Sequence, residues 1–256
     1  MARKGHRPST GTAGRPRFWG RHPVMAALTN PDRIVRKLWL THDAAQAITR
    51  DFDIPASLPV TYADAADLGK LVPGDAPHQG MVAEVDPLDD MWLGDLLLSG
   101  KDDAKDQRGR PLIVLDQVTD PHNVGAVLRS AAAFDALGIV TQDRHSPPES
   151  GALARAASGA LETVPWIRVV NLARALEEIA EAGFWRIGLT GHTDQTLAQV
   201  MGTQRLCIVL GAEGEGMRQN TQAHCDQLAK LPISDKVESL NISNAAAIAL
   251  YAAAAR

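Results

Sequence analysis

The 256 residues, 45% apolar and only 4% aromatic, exceed a usual single domain and can fill one sizeable and one small core from Ala, Val, Leu and Ile. Two cysteines exclude a disulfide framework, no spacing suits a metal, and no apolar run is long enough to cross a bilayer or serve as a secretory signal. The formal net charge of −4 hides an asymmetry: the first 21 residues hold Arg3, Lys4, Arg7, Arg15, Arg17 and Arg21 with no acid, leaving 20 bases against 30 acids in the remainder.

A cytoplasmic α/β protein with reduced thiols and no membrane partner is therefore expected. Residues 1–17 read as a basic arm, rich in Gly, Ser, Thr and Pro, that does not order by itself; its charge suits RNA phosphates as well as a solubilising tail. Residues 18–90 read as a small α/β domain. Its pattern predicts a helix over 23–28, a strand over 34–40, a helix over 43–51, a strand over 59–62, a short helix, and a strand over 80–85. Turn signals stand at Asn30-Pro31, Ile54-Pro55 and Pro73-Gly74, and His78 before the last strand reads as a turn or packing residue. No catalytic constellation assembles here, so this domain is assigned to substrate binding by elimination. Residues 91–110 read as the linker; its end, GKDDAKDQRGR, is charged and apolar only at Ala104, before Pro111.

Residues 111–256 read as a second α/β unit. A strand over 112–115 leads into a helix ending near Asp135, and strands at Ile139, 164–169, 185–190, 206–210 and 228–233 alternate with helical segments. That alternation argues a parallel sheet with helices on both faces, where ligands sit beyond the carboxyl ends of the strands. Leu231, Pro232 and Ile233 read as the end of the last buried strand. A helix follows from near Asn244, capped by Asn241 or Ser243, and its small residues from Ala245 to Ala249, broken only by Ile248, admit a close neighbour. Cys207 falls inside an apolar strand and Cys225 in a helical stretch, both as ordinary thiols.

Three loops carry the candidate chemistry. In the first, Asp120-Pro121 opens a helix with Asn123 in its first turn and Arg129 six residues later, at a different height. Taken singly, these suit a capping residue and a solvated helix charge. The second, LGAEGEGM over 210–217, has Gly211, Gly214 and Gly216 spaced unlike a dinucleotide fingerprint, and Glu213 and Glu215 would repel a pyrophosphate, so a cationic ligand suits it better. The third offers Ser239 and Asn241.

DPHNVGAVLRSA, LGAEGEGM and SLNISNAAAIALY together resemble, in order and spacing, the three motifs of the SpoU/TrmH family of SPOUT methyltransferases. The layout with a small N-terminal domain is most similar to the bacterial ribosomal RNA guanosine 2′-O-methyltransferases. The resemblance implies an L30e-like substrate-binding domain and a parallel-sheet SPOUT domain with a deep trefoil knot. It implies S-adenosyl-L-methionine held at Thr190, Gly191, Leu210, Gly211, Leu231, Ile233 and Leu240, and catalytic roles for Asn123, Arg129, Glu213, Ser239 and Asn241. It further implies a homodimer that methylates a ribose 2′-hydroxyl of RNA, with a guanosine in a loop of 23S ribosomal RNA as the expected target. A transfer RNA methyltransferase and a noncatalytic RNA-binding protein of the same fold stay open. A nicotinamide oxidoreductase is disfavoured, since the phosphate fingerprint and its ribose-binding acid are missing.

Overall fold

The computed structural model describes residues 14–50, 52–100 and 108–256. Most of the expected basic arm, the end of the helix expected over 43–51, and the middle of the linker lie outside those residues. The N-terminal domain runs β1 (Arg17–Trp19), α1 (Arg21–Thr29), β2 (Val35–Leu40), α2 (His42–Ile48), β3 (Val60–Tyr62), α3 (Ala65–Gly69) and β4 (Met81–Val85). Its strands lie in the order β1-β4-β2-β3, antiparallel except for the β2/β3 pair. Thr41 caps α2 by accepting from Ala44 N–H at 3.3 Å, and Asp64 caps α3 by accepting from Asp67 N–H at 2.8 Å. His78 is a turn residue: its Nδ1 accepts from Gly80 N–H at 3.1 Å, across a turn with Gln79 at φ 53° and Gly80 at φ 74°.

Strand β1 corrects the boundary expected at residue 17. Three residues give no periodicity of their own, and pairing of Phe18 opposite Ala83 of β4 orders them. Arg15 pairs with Asp86 at 2.6 Å, Arg17 lies 3.6 Å from Glu84, and Arg21 opens α1. Three of the six bases assigned to the N-terminal charge cluster therefore belong to the folded domain. The linker is corrected too, because α4 (Leu93–Ser99) lies in it, with Leu93, Leu96 and Leu97 buried.

The second unit runs β5 (Leu112–Asp116), α5 (Pro121–Ala133), β6 (Gly138–Gln142), α6 (Gly151–Ala157), β7 (Trp166–Val169), α7 (Leu172–Glu181), β8 (Phe184–Leu189), α8 (Leu197–Val200), β9 (Arg205–Gly211), α9 (Gln219–Ala223), β10 (Gln227–Ala229) and α10 (Ile242–Ala254). Its six strands are all parallel, in the order β10-β8-β9-β5-β6-β7. The apolar runs are continuous because both faces are covered. Leu112, Val114, Cys207 and Val209 share one core with α4 and α7, while Ile113, Leu115, Ile208 and Leu210 share another with α5 and α10.

Strand β10 stops at Ala229, so Leu231, Pro232 and Ile233 lie in the loop beyond it and not in a buried strand. An edge strand paired only with β8 gains nothing from a proline without an N–H, and Ile233 is 38% exposed. Helix α10 begins at Ile242, two residues before the expected start. Cys225 falls just past α9 rather than within a helix.

The two domains share a core: Phe18, Val24 and Ile48 cluster with Leu153, Ala157 and Leu161. Trp19 lies on the start of α6, where a Cβ on Gly151 would stand 1.8 Å from its ring. At this junction the Arg33 side chain is fully buried, its Nη1 2.7 Å from Glu149 and its Nε 2.9 Å from Glu162. Asn30 Nδ2 also donates to Glu162 at 2.8 Å, and Arg33 Nη1 donates to the Asp86 carbonyl at 2.8 Å. Burial opposes the charge of Arg33, but the hydrogen bond to Glu162 and the field of Glu149 outweigh it and raise its pKa.

Candidate active site

The carboxyl ends of β5, β9, β8 and β10 deliver four loops to one edge of the sheet. Strands β6 and β7 lie on one side of β5, and β9, β8 and β10 on the other, so the chain changes direction at β5/β9. Such a switch point leaves a crevice between diverging loops. The register there puts Asp116 of β5 opposite Gly211 of β9.

Asn241 joins three of the sequence motifs. Its Nδ2 donates to Asn123 Oδ1 at 3.0 Å and lies 3.3 Å from Glu213 Oε2. Its Oδ1 accepts from Ser243 N–H at 2.9 Å and from Ser243 Oγ at 2.5 Å, capping α10. The cap fixes which end of the amide carries oxygen, so the NH₂ group must face Asn123 and Glu213. Every hydrogen of that amide is then engaged, which makes Asn241 a clasp. The groups left to face a ligand are the NH₂ of Asn123 and the exposed carboxylate of Glu213.

Asp120 accepts from His122 N–H at 2.9 Å, and Pro121 follows at the first helical position, which sets Asn123 in the opening turn of α5. Arg129 is exposed on the same helix and is not brought to the Asn123–Asn241–Glu213 junction; six residues turn it to another side. Ser239 is likewise exposed in the loop and outside the junction.

The residues expected to hold a cofactor lie on the neighbouring loops. Gly211 closes β9, and the following loop folds back so tightly that Gly216 N–H donates to Ala212 O at 2.8 Å. A Cβ on Gly211 would stand 2.0 Å from Gly216 C and from Met217 N. Gly191 differs, since nothing lies within 4 Å of its hypothetical Cβ. Thr190 N–H donates to Ala229 O at 2.9 Å, and Leu197 N–H donates to Lys230 O at 2.9 Å, which ties the β8 and β10 loops side by side. Leu210 is buried beneath them. Among the described residues, Leu231, Ile233 and Leu240 make no backbone hydrogen bond. Their N–H and C=O groups are therefore available to hydrogen-bond a ligand.

The sequence reading missed one pair. Asp116, fully buried at the end of β5, accepts from Arg218 N–H at 2.9 Å and from its Nε at 2.9 Å, and Arg218 Nη2 donates to Gln142 at 2.8 Å. This anchors the far end of the glycine-rich loop to the neck of the α5 loop. An aspartate ending the run Leu112–Asp116 is a visible sign, but its partner lies 102 residues away.

Neither thiol is activated. Burial pushes Cys207 well above its ordinary range and pushes Cys225 up to about 12. Both groups hold their protons in the folded chain after an unfolded thiol has lost its own near pH ~8.5, so their stabilisation is present below that pH and is lost as pH rises toward the folded values. Alkylation by iodoacetamide at pH ~8.5 should be roughly a thousand-fold slower for native protein than for protein in guanidinium. Equal rates would contradict this assignment.

A family model described as the SpoU rRNA methylase family matches residues 110–251, and one described as RNA 2′-O ribose methyltransferase substrate binding matches residues 18–91. The chain belongs to the SpoU rRNA methylase family. It is 36% identical over 239 residues to the 23S rRNA (guanosine-2′-O-)-methyltransferase RlmB of Pseudomonas aeruginosa, covering 92% of this chain and 94% of that one. It is 41% identical over 238 residues to an uncharacterized tRNA/rRNA methyltransferase of Synechocystis sp., covering 91% of this chain but only 61% of that relative's length. The crystal structure of the SpoU methyltransferase AviRb from Streptomyces viridochromogenes in complex with AdoMet shares the fold, with a TM-score of 0.75 at 24% identity over 98% of this chain and 93% of that one.

Proposed function

We propose that the chain transfers the methyl group of S-adenosyl-L-methionine to the ribose 2′-hydroxyl of a guanosine in a loop of 23S ribosomal RNA. The observation that carries this reading is the Asn241 clasp, which unites all three family motifs at the carboxyl end of the sheet. The RlmB relative, matched over nearly its whole length, supports the substrate. When bound, the donor supplies an electrophilic methyl on a sulfonium centre, a cation that the carboxylates of Glu213 and Glu215 suit. The peptide groups of Leu231, Ile233 and Leu240 would hold its adenine beside Thr190, Gly191, Leu210 and Gly211.

A 2′-hydroxyl is a weak nucleophile, and a group must steer it and take its proton. Arginine stays protonated in proteins, so Arg129 serves as an orienting and oxyanion-stabilising group, with a substrate phosphate as the proton acceptor. Ser239 lies on the loop where it can join this arrangement. A splayed loop is the fitting target, because a 2′-hydroxyl in a duplex is hard to surround. We place the reaction in the cytoplasm.

The finer architecture belongs to the same proposal: an L30e-like N-terminal sheet, a deep trefoil knot formed where the 230–241 loop and α10 pass the β9 loop, and a homodimer. Ile248 and Tyr251 are 45% and 63% exposed on one side of α10, beside α5, and suit a two-fold partner. Light scattering should give twice the chain mass, and a monomer fully active at high dilution would contradict the dimer.

The experiment that tests the reading uses the full chain: calorimetry with S-adenosylhomocysteine, and transfer from tritiated donor to large-subunit RNA. Failure to bind S-adenosylhomocysteine sinks it, and equal labelling of transfer RNA overturns the substrate. Arg129→Lys, which keeps the charge and loses the fork, should reduce methyl transfer by about a hundred-fold with unchanged cofactor affinity. Full activity would remove Arg129 from the chemistry. Asn241→Asp retains an oxygen for the Ser243 cap but turns a second oxygen toward Asn123 and Glu213. It should melt within about 1 kcal/mol of the parent yet transfer methyl about ten-fold more slowly. Unaltered transfer would mean that the clasp does not position the site.

A further inference from the structure

We propose that the cleft between α2 and β3 holds an unpaired guanine of the RNA, stacked on the His42–Tyr62 ring pair, at a nucleotide other than the one methylated. This rests on the RNA reading above. The cleft is open, about 890 Å³, and its lining includes Arg21, His42, Asp43, Tyr62 and Gln79. His42 opens α2 and Tyr62 closes the edge strand β3. Their rings are parallel, with an interplanar angle of 0° and centroids 5.3 Å apart. Tyr62 is 55% exposed, so the fold does not use most of its surface. Two parallel rings at the wall of a cleft form a shelf for a third planar group, and single-stranded RNA offers such groups on every nucleotide.

The polar groups around the shelf favour guanine. Gln79 is held in a left-handed turn at φ 53°, and its Oε1 accepts from Arg21 N–H at 2.9 Å, leaving the amide NH₂ as a donor. Among the described residues the Asp43 side chain makes no hydrogen bond or ion pair, and it presents an acceptor-only carboxylate. Guanine presents O6 for the amide and, beside it, N1–H and the N2 amino group as two donors for one carboxylate, where uracil offers a single N–H and adenine and cytosine no ring N–H beside a carbonyl oxygen. The RNA backbone has cations beside the same turn. Arg155 of α6 donates to Pro77 O at 3.1 Å, and its Nη1 would lie 2.6 Å from a Cβ on Gly20, next to Arg21. Arg155 belongs to the methyltransferase unit, so this turn of the N-terminal domain lies against that unit.

The test uses full-length protein and a transcript of large-subunit ribosomal RNA. Tyr62→Ala should weaken RNA binding by about ten-fold in a filter assay, while Tyr62→Phe binds like the parent. Both should keep the parent's melting temperature and its calorimetric affinity for S-adenosylhomocysteine. Tyr62→Trp should show fluorescence quenching on RNA addition beyond that of the parent, as a stacked base requires and a structural role does not. Asp43→Asn should weaken binding to the transcript, but not to one in which adenine replaces every loop guanine. If the parent binds and methylates RNA and Tyr62→Ala binds equally well, the shelf is wrong and the methyltransferase reading stands. If the parent binds neither RNA nor S-adenosylhomocysteine, both fall.

Discussion

Gly211→Ala is expected to abolish binding of S-adenosylhomocysteine and to destabilise the chain by about 3 kcal/mol, a fall of roughly 6–12 °C in melting temperature. The cause is geometric. The added methyl would fall 2.0 Å from the backbone of Gly216 and Met217, and neither atom is the end of a flexible side chain. The loop is pinned on both sides, by the Ala212–Gly216 bridge and by Arg218 on buried Asp116, so relief must move one of those anchors. Glu213 sits between them and would leave Asn241. Gly191→Ala is the matched control, because open space surrounds that position and no positive φ restrains it. It should melt like the parent, so any loss of cofactor affinity there reports contact with the ligand. Calorimetry and thermal melting on the two variants decide the matter. If Gly211→Ala bound S-adenosylhomocysteine normally, the tight loop would not be part of the cofactor slot.

That contrast marks how far residue patterns reach. The alternation of apolar runs with helices made the parallel sheet legible, because strands covered on both faces need no period-two pattern. The three motifs were legible through the polar residues at the ends of those strands, and Asn241 was one of two candidate caps, selected over Ser243 by a helix start at Ile242 and not near Asn244. Arg218 on Asp116 was not, since a contact 102 residues apart depends on how the strands are ordered. Helix α4 was hidden by its neighbour, the charged stretch over 100–110, although Leu93, Leu96 and Leu97 carry a helical spacing. Strand β1 has three residues and exists through its partner. Leu231 to Ile233 misled through apolar character, where edge position and Pro232 favour a loop. The burial of Arg33 was equally hidden, because one arginine after an Asn-Pro turn looks like any solvated charge.

Arg33 is where the second large effect is expected. Arg33→Ala should cost about 3–5 kcal/mol, lowering the melting temperature by roughly 6–20 °C. It removes the cation from a site where Glu149 and Glu162 side chains are only 10% and 3% exposed. Removing one partner of a buried pair leaves the other charge without compensation, which is why the loss exceeds that of a surface ion pair. Burial then opposes the charge of each carboxylate with no cation to offset it. Adding Glu149→Gln and Glu162→Gln to Arg33→Ala should therefore recover part of the deficit. Because the triad joins the two domains and none of its hydrogen bonds reaches a cofactor loop, S-adenosylhomocysteine affinity below the melting point should be retained while methylation of RNA falls. A deficit below about 1 kcal/mol would show that the domains are held by their shared apolar core and not by this charge cluster.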